Sequence, residues 1–256
     1  MIEIIGQEGT SEYAVALRLA DAFAAQWKGL DKSPDTDEWI TIVAGGKLSG
    51  YKVSDIDIVV VGKLGAGRRF IPKRLLRDAQ GDAVGKKPIE VTSFVITVEV
   101  KDHDPDRVRY NGDDVSVFYS RGAKKGWKSA TEQNINQLHS LSSYFKDRLA
   151  ESPYIYRCLV MNGLHNINVA GSVPHDFDAA LLLSSCLSVN SVVYRSGRYW
   201  MSSADSNVMS RIKNAPLFKI MRPSNLDRRR MDAIVNGLPV GEKLYDSLGQ
   251  SMTVLR

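Results

Sequence analysis

Five side chains stand out because their types and spacing could do chemistry together: Glu12, Asp57, Glu99, Lys101 and Gln133. In "FVITVEVKDHD", residues 94–104, Phe94, Ile96, Val98 and Val100 alternate with Val95, Thr97, Glu99 and Lys101. That period of two is a strand, and it ends with a carboxylate and an ammonium two residues apart on one face. Asp57 lies in "SDIDIVVVG", immediately before an apolar run, although Asp is disfavoured in strands; Asp55 shares its face. Glu12 opens a first helix and Gln133 sits in the first turn of a later one. Each has an ordinary reading alone: a solvated strand end, a cap at a strand entrance, a carboxylate favouring a helix dipole, a good helix former.

Together they imply something else. If the strands holding Asp57 and Glu99 are neighbours, two carboxylates converge at one end of a sheet. Converging carboxylates repel and are costly to desolvate unless a cation lies between them. Their hard oxygens suit Mg²⁺, or Mn²⁺, which lowers the pKa of a bound water and stabilises charge on a phosphoryl oxygen. Lys101 would then face the attacking water or the developing phosphorane. Carboxylates for a metal, a lysine for an anion and basic flanks for a polyanion describe phosphodiester hydrolysis.

The elements that must position these residues follow from pattern. Val15, Leu19, Phe23 and Trp27 recur every four residues, predicting a helix over 11–28 with Thr10 or Ser11 as its cap. "WITIVAGG" and "SDIDIVVVG" predict strands, the second buried on both faces. Residues 63–90 read as a basic loop with a short helix near "PKRLLRDAQG". The strand 91–101 comes next, then a turn at "YNGD" and a strand at "DDVSVFYS". Ser129 and Glu132 predict a capping box for a helix over 130–149, with Ile135, Leu138, Phe145 and Leu149 as its apolar stripe. "YIYRCLVMNGL" reads as a buried strand. Beyond it the pattern predicts a helix near 177–189, a short strand at "SVVYRSGRYW", and a helix from Asn225 to Val235 capped by Ser224. This order predicts an α/β sandwich with a central mixed β-sheet flanked by helices.

Composition bounds the rest. A chain of 256 residues, 43% hydrophobic and 25% charged, is globular rather than disordered. No apolar run spans a bilayer, and the N-terminus lacks the pattern of a signal peptide, so no membrane is expected. Cys158 and Cys186 lie in apolar segments and read as reduced, buried thiols of a cytoplasmic protein. The four histidines are scattered, which argues against zinc. The net charge of +5 is a mild excess, concentrated at 67–77, 121–128 and 227–230. Arg68, Arg69, Lys73, Arg74, Arg77, Lys124, Lys125 and Lys128 are the candidate contacts to nucleic-acid phosphates, against the alternative of solvated loop surfaces.

The succession "GTSE", "SDIDIVVVG", "VITVEVK" and "ATEQNINQLHSL" resembles the nuclease-related domain (NERD) family of the PD-(D/E)XK nuclease superfamily. The likeness spans roughly 6–165. It implies a restriction-endonuclease-like core over 1–165, with a C-terminal α/β extension over 166–256 packed on it. It also implies a metal-dependent deoxyribonuclease with Asp57, Glu99 and the Val100 carbonyl as metal ligands and Lys101 as the catalytic lysine. Glu12 would reach the metal directly or through water, and Gln133 would support the site, with Gln137 as a competing alignment. Asp57 is preferred to Asp55 because the family's aspartate immediately precedes the apolar run. DNA is the implied partner, RNA not being distinguished from it, and the extension could meet a second copy or a partner protein. One departure is clear: 41 residues separate Asp57 from Glu99, where the family has a short hairpin. That insertion is expected to pack beside the active face and grip nucleic acid, or else to serve partner binding. The alternatives to an enzyme are a binding module retaining the nuclease fold, and an interaction subunit of a DNA-processing or defence assembly.

Overall fold

The computed structural model describes residues 1–30, 37–65, 68–74, 76, 83, 85–122, 125–188, 191–218, 243–245 and 251–253. In chain order they form β1 (Ile2–Ile5), α1 (Ser11–Gln26), β2 (Trp39–Lys47), β3 (Asp55–Lys63), β4 (Arg69–Phe70), β5 (Ile89–Val91) and β6 (Ser93–Lys101). Then come β7 (Val108–Asn111), β8 (Asp114–Tyr119), β9 (Gly126–Ser129), α2 (Ala130–Leu149), β10 (Ile155–Met161) and β11 (Ser172–Pro174). α3 (Ala179–Cys186), β12 (Val193–Arg195), β13 (Arg198–Met201), α4 (Ser206–Lys213), β14 (Lys243–Tyr245) and β15 (Ser251–Thr253) complete the order.

Six strands make a central mixed sheet in the order β1-β2-β3-β6-β10-β11. β2, β3 and β6 are antiparallel neighbours, whereas β6, β10 and β11 run parallel. The β-branched run of β3 is buried on both faces because a helical layer covers each side. On one side Val15, Ala16, Leu19 and Phe23 of α1, with α3, pack on Ile58, Val60, Ile96 and Val98. On the other, Leu141, Phe145 and Leu149 of α2 and Val208, Met209 and Ile212 of α4 pack on Val59, Val61 and Val95. Thr10 caps α1 by accepting from the Tyr13 N–H, and Asp205 caps α4 by accepting from Asn207 and Val208.

Two smaller sheets attach to this frame. β7, β8 and β9 form an antiparallel sheet whose Val108, Val115 and Val117 pack with Leu159 and Met161 of β10. β12, β13, β5 and β4 form another, joining the insertion to the later part of the chain. The single strand expected over 191–200 is a hairpin: Ser196 and Gly197 carry φ of 52° and 77°, the two positive values that a tight two-residue turn requires.

The chain divides into two compact units, Met1–Lys219 and Ile220–Arg256. The expected boundary at 165/166 is therefore not where it divides, because β11 extends the central sheet and α3 and α4 cover its faces. In the second unit, β14 and β15 form an antiparallel pair; the helix expected over 225–235 and the basic run 227–230 lie outside the described residues. In the insertion, Pro72, Lys73 and Arg74 are described and are not helical, and most of the helix expected near them also lies outside.

Gly62 on β3 is opposite Phe94 on β6, and the Phe94 ring lies over its bare α-carbon. Phe94 stacks on Phe23 of α1, ring centroids 5.4 Å apart, so the missing side chain admits the ring that ties helix to sheet. A Cβ at residue 62 would lie 2.3 Å from that ring. Gly62→Ala is expected to cost about 1–3 kcal/mol through overpacking, read as a lower urea midpoint with an unchanged slope.

Candidate active site

The register of the central sheet decides where the acidic residues go. Ile58 is opposite Val98 in the antiparallel β3–β6 pair, so one further step brings Asp57 beside Glu99. There the backbone ladder gives way to a side chain: the Val100 N–H donates to Asp57 Oδ2 at 2.8 Å. Alternation puts Asp57, Glu99 and Lys101 on the face covered by α2. The 41 residues between the two acids do not disturb this. The insertion leaves after Lys63 and returns at Ser93, a pair at the opposite end of the strands.

β6 is a central strand, between β3 and β10, so the reading of Glu99 and Lys101 as solvated edge residues does not hold. Glu99 is 0% exposed and Lys101 5%. The Lys101 ammonium forms an ion pair with Glu99 Oε1 and donates to Gln133 Oε1 at 3.2 Å. The Asp57 and Glu99 carboxyl groups are close enough for the charge of one to act on the other.

The N-terminal half of α2 supplies the polar lid over this cluster. After Ala130, its buried residues there are Asn134, Gln137 and Ser140, not the expected Ile135 and Leu138, which are only half-buried. The reason is local: this half of the helix lies over charges and polar backbone, and only its second half meets the apolar sheet. Asn134 donates to the Thr97 carbonyl at 3.3 Å and Gln137 to the Asp55 carbonyl at 3.4 Å, while Ser140 accepts from the Val53 N–H at 3.0 Å. Both aligned glutamines are thus engaged, Gln133 with Lys101 and Gln137 beside Glu99. Their i, i+4 spacing on one helix face was the available signal that they act together. Ser129 fixes the helix start, accepting from the Glu132 N–H at 2.9 Å and donating to Asp114 of β8 at 2.6 Å.

Electrostatics follow from this burial. Burial raises the Glu99 pKa to about 7, with the Asp57 charge adding to it against the opposing pull of Lys101. Burial also raises Asp57; the Val100 N–H and Lys101 oppose the rise, and Glu12 adds to it. For Lys101, burial favours the neutral amine, but the charge and hydrogen bond of Glu99 outweigh it and the net direction is upward.

Glu99 Oε2 is buried and has no hydrogen-bond partner among the described residues. An orphaned carboxylate oxygen against a second carboxylate fits a hard cation, and Mg²⁺ commonly uses one or two carboxylates while keeping several waters. Among the described residues no group of three or more His, Cys, Asp or Glu is gathered for a metal. Glu12 is half-buried and close enough to act on Asp57 through its charge. The Val100 carbonyl points to the same side of β6 as its N–H, toward Asp57, because the two groups of one strand residue share a direction.

The basic candidates divide. Arg68 is held by Glu38, at 2.8 Å, and by the Lys28 carbonyl. Arg74 donates to the Val169 and Ser172 carbonyls at 2.5 and 2.6 Å, and burial lowers its pKa. These two guanidiniums hold the insertion to the fold, contrary to their expected role on phosphates. Lys73 forms an exposed ion pair with Asp178. Arg69, Lys125 and Lys128 are exposed; Arg77 and Lys124 lie outside the described residues. Tyr119 carried no signal in the sequence, and His103 read there as a loop residue between Asp102 and Asp104; both are neighbours of Lys101. Comparison with family models, with curated proteins and with solved structures finds no match to this chain.

A carboxyl raised from 4.5 to about 7 on folding binds more protons in the folded than in the unfolded state between those values. Stability therefore falls as pH rises through that window, while the raised Lys101 acts only near its own alkaline range. In chelator, raising the pH from 4.5 to 7.5 is expected to cost about 3 kcal/mol through Glu99. Glu99→Gln should flatten the slope in denaturant titrations across that range; an unchanged slope would contradict the buried, proton-binding carboxyl.

Proposed function

We propose that the protein is a metal-dependent nuclease of the PD-(D/E)XK type, with a restriction-endonuclease-like core and DNA as substrate. The observation that carries this reading is the meeting of Asp57, Glu99 and Lys101 at one end of the central sheet, with one buried carboxylate oxygen unpartnered. The resemblance to the NERD family on the same residues supports it.

Asp57, Glu99 and the Val100 carbonyl would hold Mg²⁺ or Mn²⁺, with Glu12 acting through water. Bound there, the ion supplies a Lewis acid for the phosphoryl oxygen and a water of lowered pKa. The chain's own groups do the positioning. The Val100 N–H pins one Asp57 oxygen and leaves the other to turn toward Glu99. Gln133 accepts from the Lys101 ammonium on the helix side and helps to hold it at the carboxylate end of the sheet, where the charge of Glu99 favours its protonated form. With Glu99 holding the ion, the Lys101 ammonium would be the group placed to stabilise the charge that develops on the phosphodiester. The overlying α2 excludes bulk water from the inner side of the cluster, which strengthens each of these interactions.

A module that only bound nucleic acid would have little use for this arrangement. Burying three ionisable groups costs several kcal/mol per ion before pairing, whereas exposed lysines bind phosphates without it.

Cleavage of plasmid and linear DNA, with RNA in parallel, tests the reading in Mg²⁺ or Mn²⁺. Asp57→Asn and Glu99→Ala are expected to abolish detectable cutting, and Lys101→Ala to slow it by about 10²–10³-fold. Equal cutting by the wild type and all three variants would overturn the assignment. The binding surface makes a separate prediction. Lys125→Ala and Lys128→Ala should each reduce the salt dependence of DNA binding by about one unit of slope. Arg68→Ala and Arg74→Ala should instead lower the melting temperature and leave that slope unchanged.

A further inference from the structure

Past the end of β6 the chain turns through Asp102, His103 and Asp104 and forms a recess of about 290 Å³ with the end of β8 and the turn after it. The recess adjoins the candidate site: the Lys101 charge acts on His103, and Tyr119 acts on Lys101. We propose that this recess is a subsite for one unstacked nucleotide flanking the cleaved phosphodiester, which makes the preferred substrate single-stranded or frayed nucleic acid. The proposal rests on the nuclease reading of the neighbouring residues.

The walls have the chemistry of a nucleotide site. Phe118 and Tyr119 supply aromatic surface, and Arg107 and Arg121 stand at the rim. Both arginines are exposed and neither forms an ion pair among the described residues. The His103 ring packs edge-on against Tyr119, centroids 5.1 Å apart, and its Nδ1 is buried without a protein partner. Burial and the charge of Lys101 hold this imidazole below its ordinary pKa, so at neutral pH the ring is uncharged and has one donor and one acceptor nitrogen. Its position is fixed from behind by Gly163, whose α-carbon passes so close that a Cβ would lie 2.2 Å from the His103 carbonyl oxygen.

Phe118 is directly opposite Trp127 in the β8–β9 pair, centroids 5.4 Å apart, and the Arg109 guanidinium lies 3.9 Å over the Trp127 ring. Aromatic rings beside an arginine are the kind of surface on which a base of a single strand stacks.

Size and charge define the ligand. A recess of 290 Å³ is near the lower limit of small-ligand sites, enough for about one nucleotide. A paired base in a duplex shows only its groove edges, so a base reaches an aromatic wall only when it is unstacked. Asp102 and Asp104 on the same rim offset the two arginines. A bare phosphate therefore gains little there, and recognition needs the base as well.

The test measures binding separately from cutting. A short fluorescein-labelled oligodeoxynucleotide, single-stranded or as a blunt duplex, is titrated with the full chain carrying Glu99→Gln, read by anisotropy. Adding Phe118→Ala or Arg121→Ala should weaken single-strand binding about tenfold and duplex binding less than twofold. Phe118→Tyr, which keeps the ring, should retain single-strand binding, and inorganic phosphate should not compete. Loss of equal size on single strand and duplex, or no loss on either, overturns the subsite. If the wild type cuts DNA, and Phe118→Ala and Arg121→Ala made in the otherwise wild-type chain cut single strands as well as it does, the subsite fails and the nuclease reading stands. If the wild type cuts nothing but Arg121→Ala loses single-strand binding, the nuclease reading fails and the recess stands as a binding site.

Discussion

Three ionisable side chains buried together, Asp57, Glu99 and Lys101, are the constraint on which the arrangement around them depends. Charges taken from water are tolerated only when each finds a partner of good geometry. Lys101 has Glu99 and Gln133, and Asp57 has the Val100 N–H. Among the described residues, Glu99 Oε2 is buried without a hydrogen-bond partner. The neighbouring elements are shaped to this need. The backbone ladder between β3 and β6 ends where Asp57 takes over, and β6 lies between two strands so that its end cannot fray into solvent. Asn162, just past β10, donates to the Lys101 carbonyl at 2.7 Å and holds the last residue of the cluster in register.

α2 shows the same constraint acting on a helix. A helix that served only the core would continue one apolar stripe from end to end. Here the buried face changes character halfway, from Asn134, Gln137 and Ser140 to Leu141, Tyr144 and Phe145. The polar half is less able to drive docking by itself. The apolar half and the cap at Ser129 hold the helix down, and the polar half is carried into place over the acids.

Much of the frame was legible in the sequence because it follows local periodicity. The helices at α1 and α2 and the strands at β2, β3, β6, β8 and β10 each carry a pattern that survives without knowledge of their neighbours. What could not be read depends on partners distant in the chain. β1 and β11 are too short to show a period and become strands by pairing with β2 and β10. The stripe expected through Ile135 and Leu138 was displaced because what lies beneath a helix is not written in that helix. Arg68 and Arg74 looked like a phosphate-binding cluster because charge is visible in sequence, whereas Glu38 and the carbonyls of Val169 and Ser172 are adjacent only in space. The convergence of Asp57 and Glu99 was an expectation resting on residue type and family likeness. Its geometric basis, the Ile58–Val98 register, is a tertiary fact.

The long insertion leaves and re-enters the sheet at Lys63 and Ser93, at the end of β3 and β6 remote from the acids. Those strands thus act as a lever clamped at one end: added length hangs from the free end, while the clamped end keeps its alignment. A structure of this kind can acquire or exchange a whole appendage at that hinge without retuning its chemistry. For the same reason the Lys63–Ser93 end is a natural attachment point for a tether or a fused domain, set apart from the carboxylates by the length of the two strands.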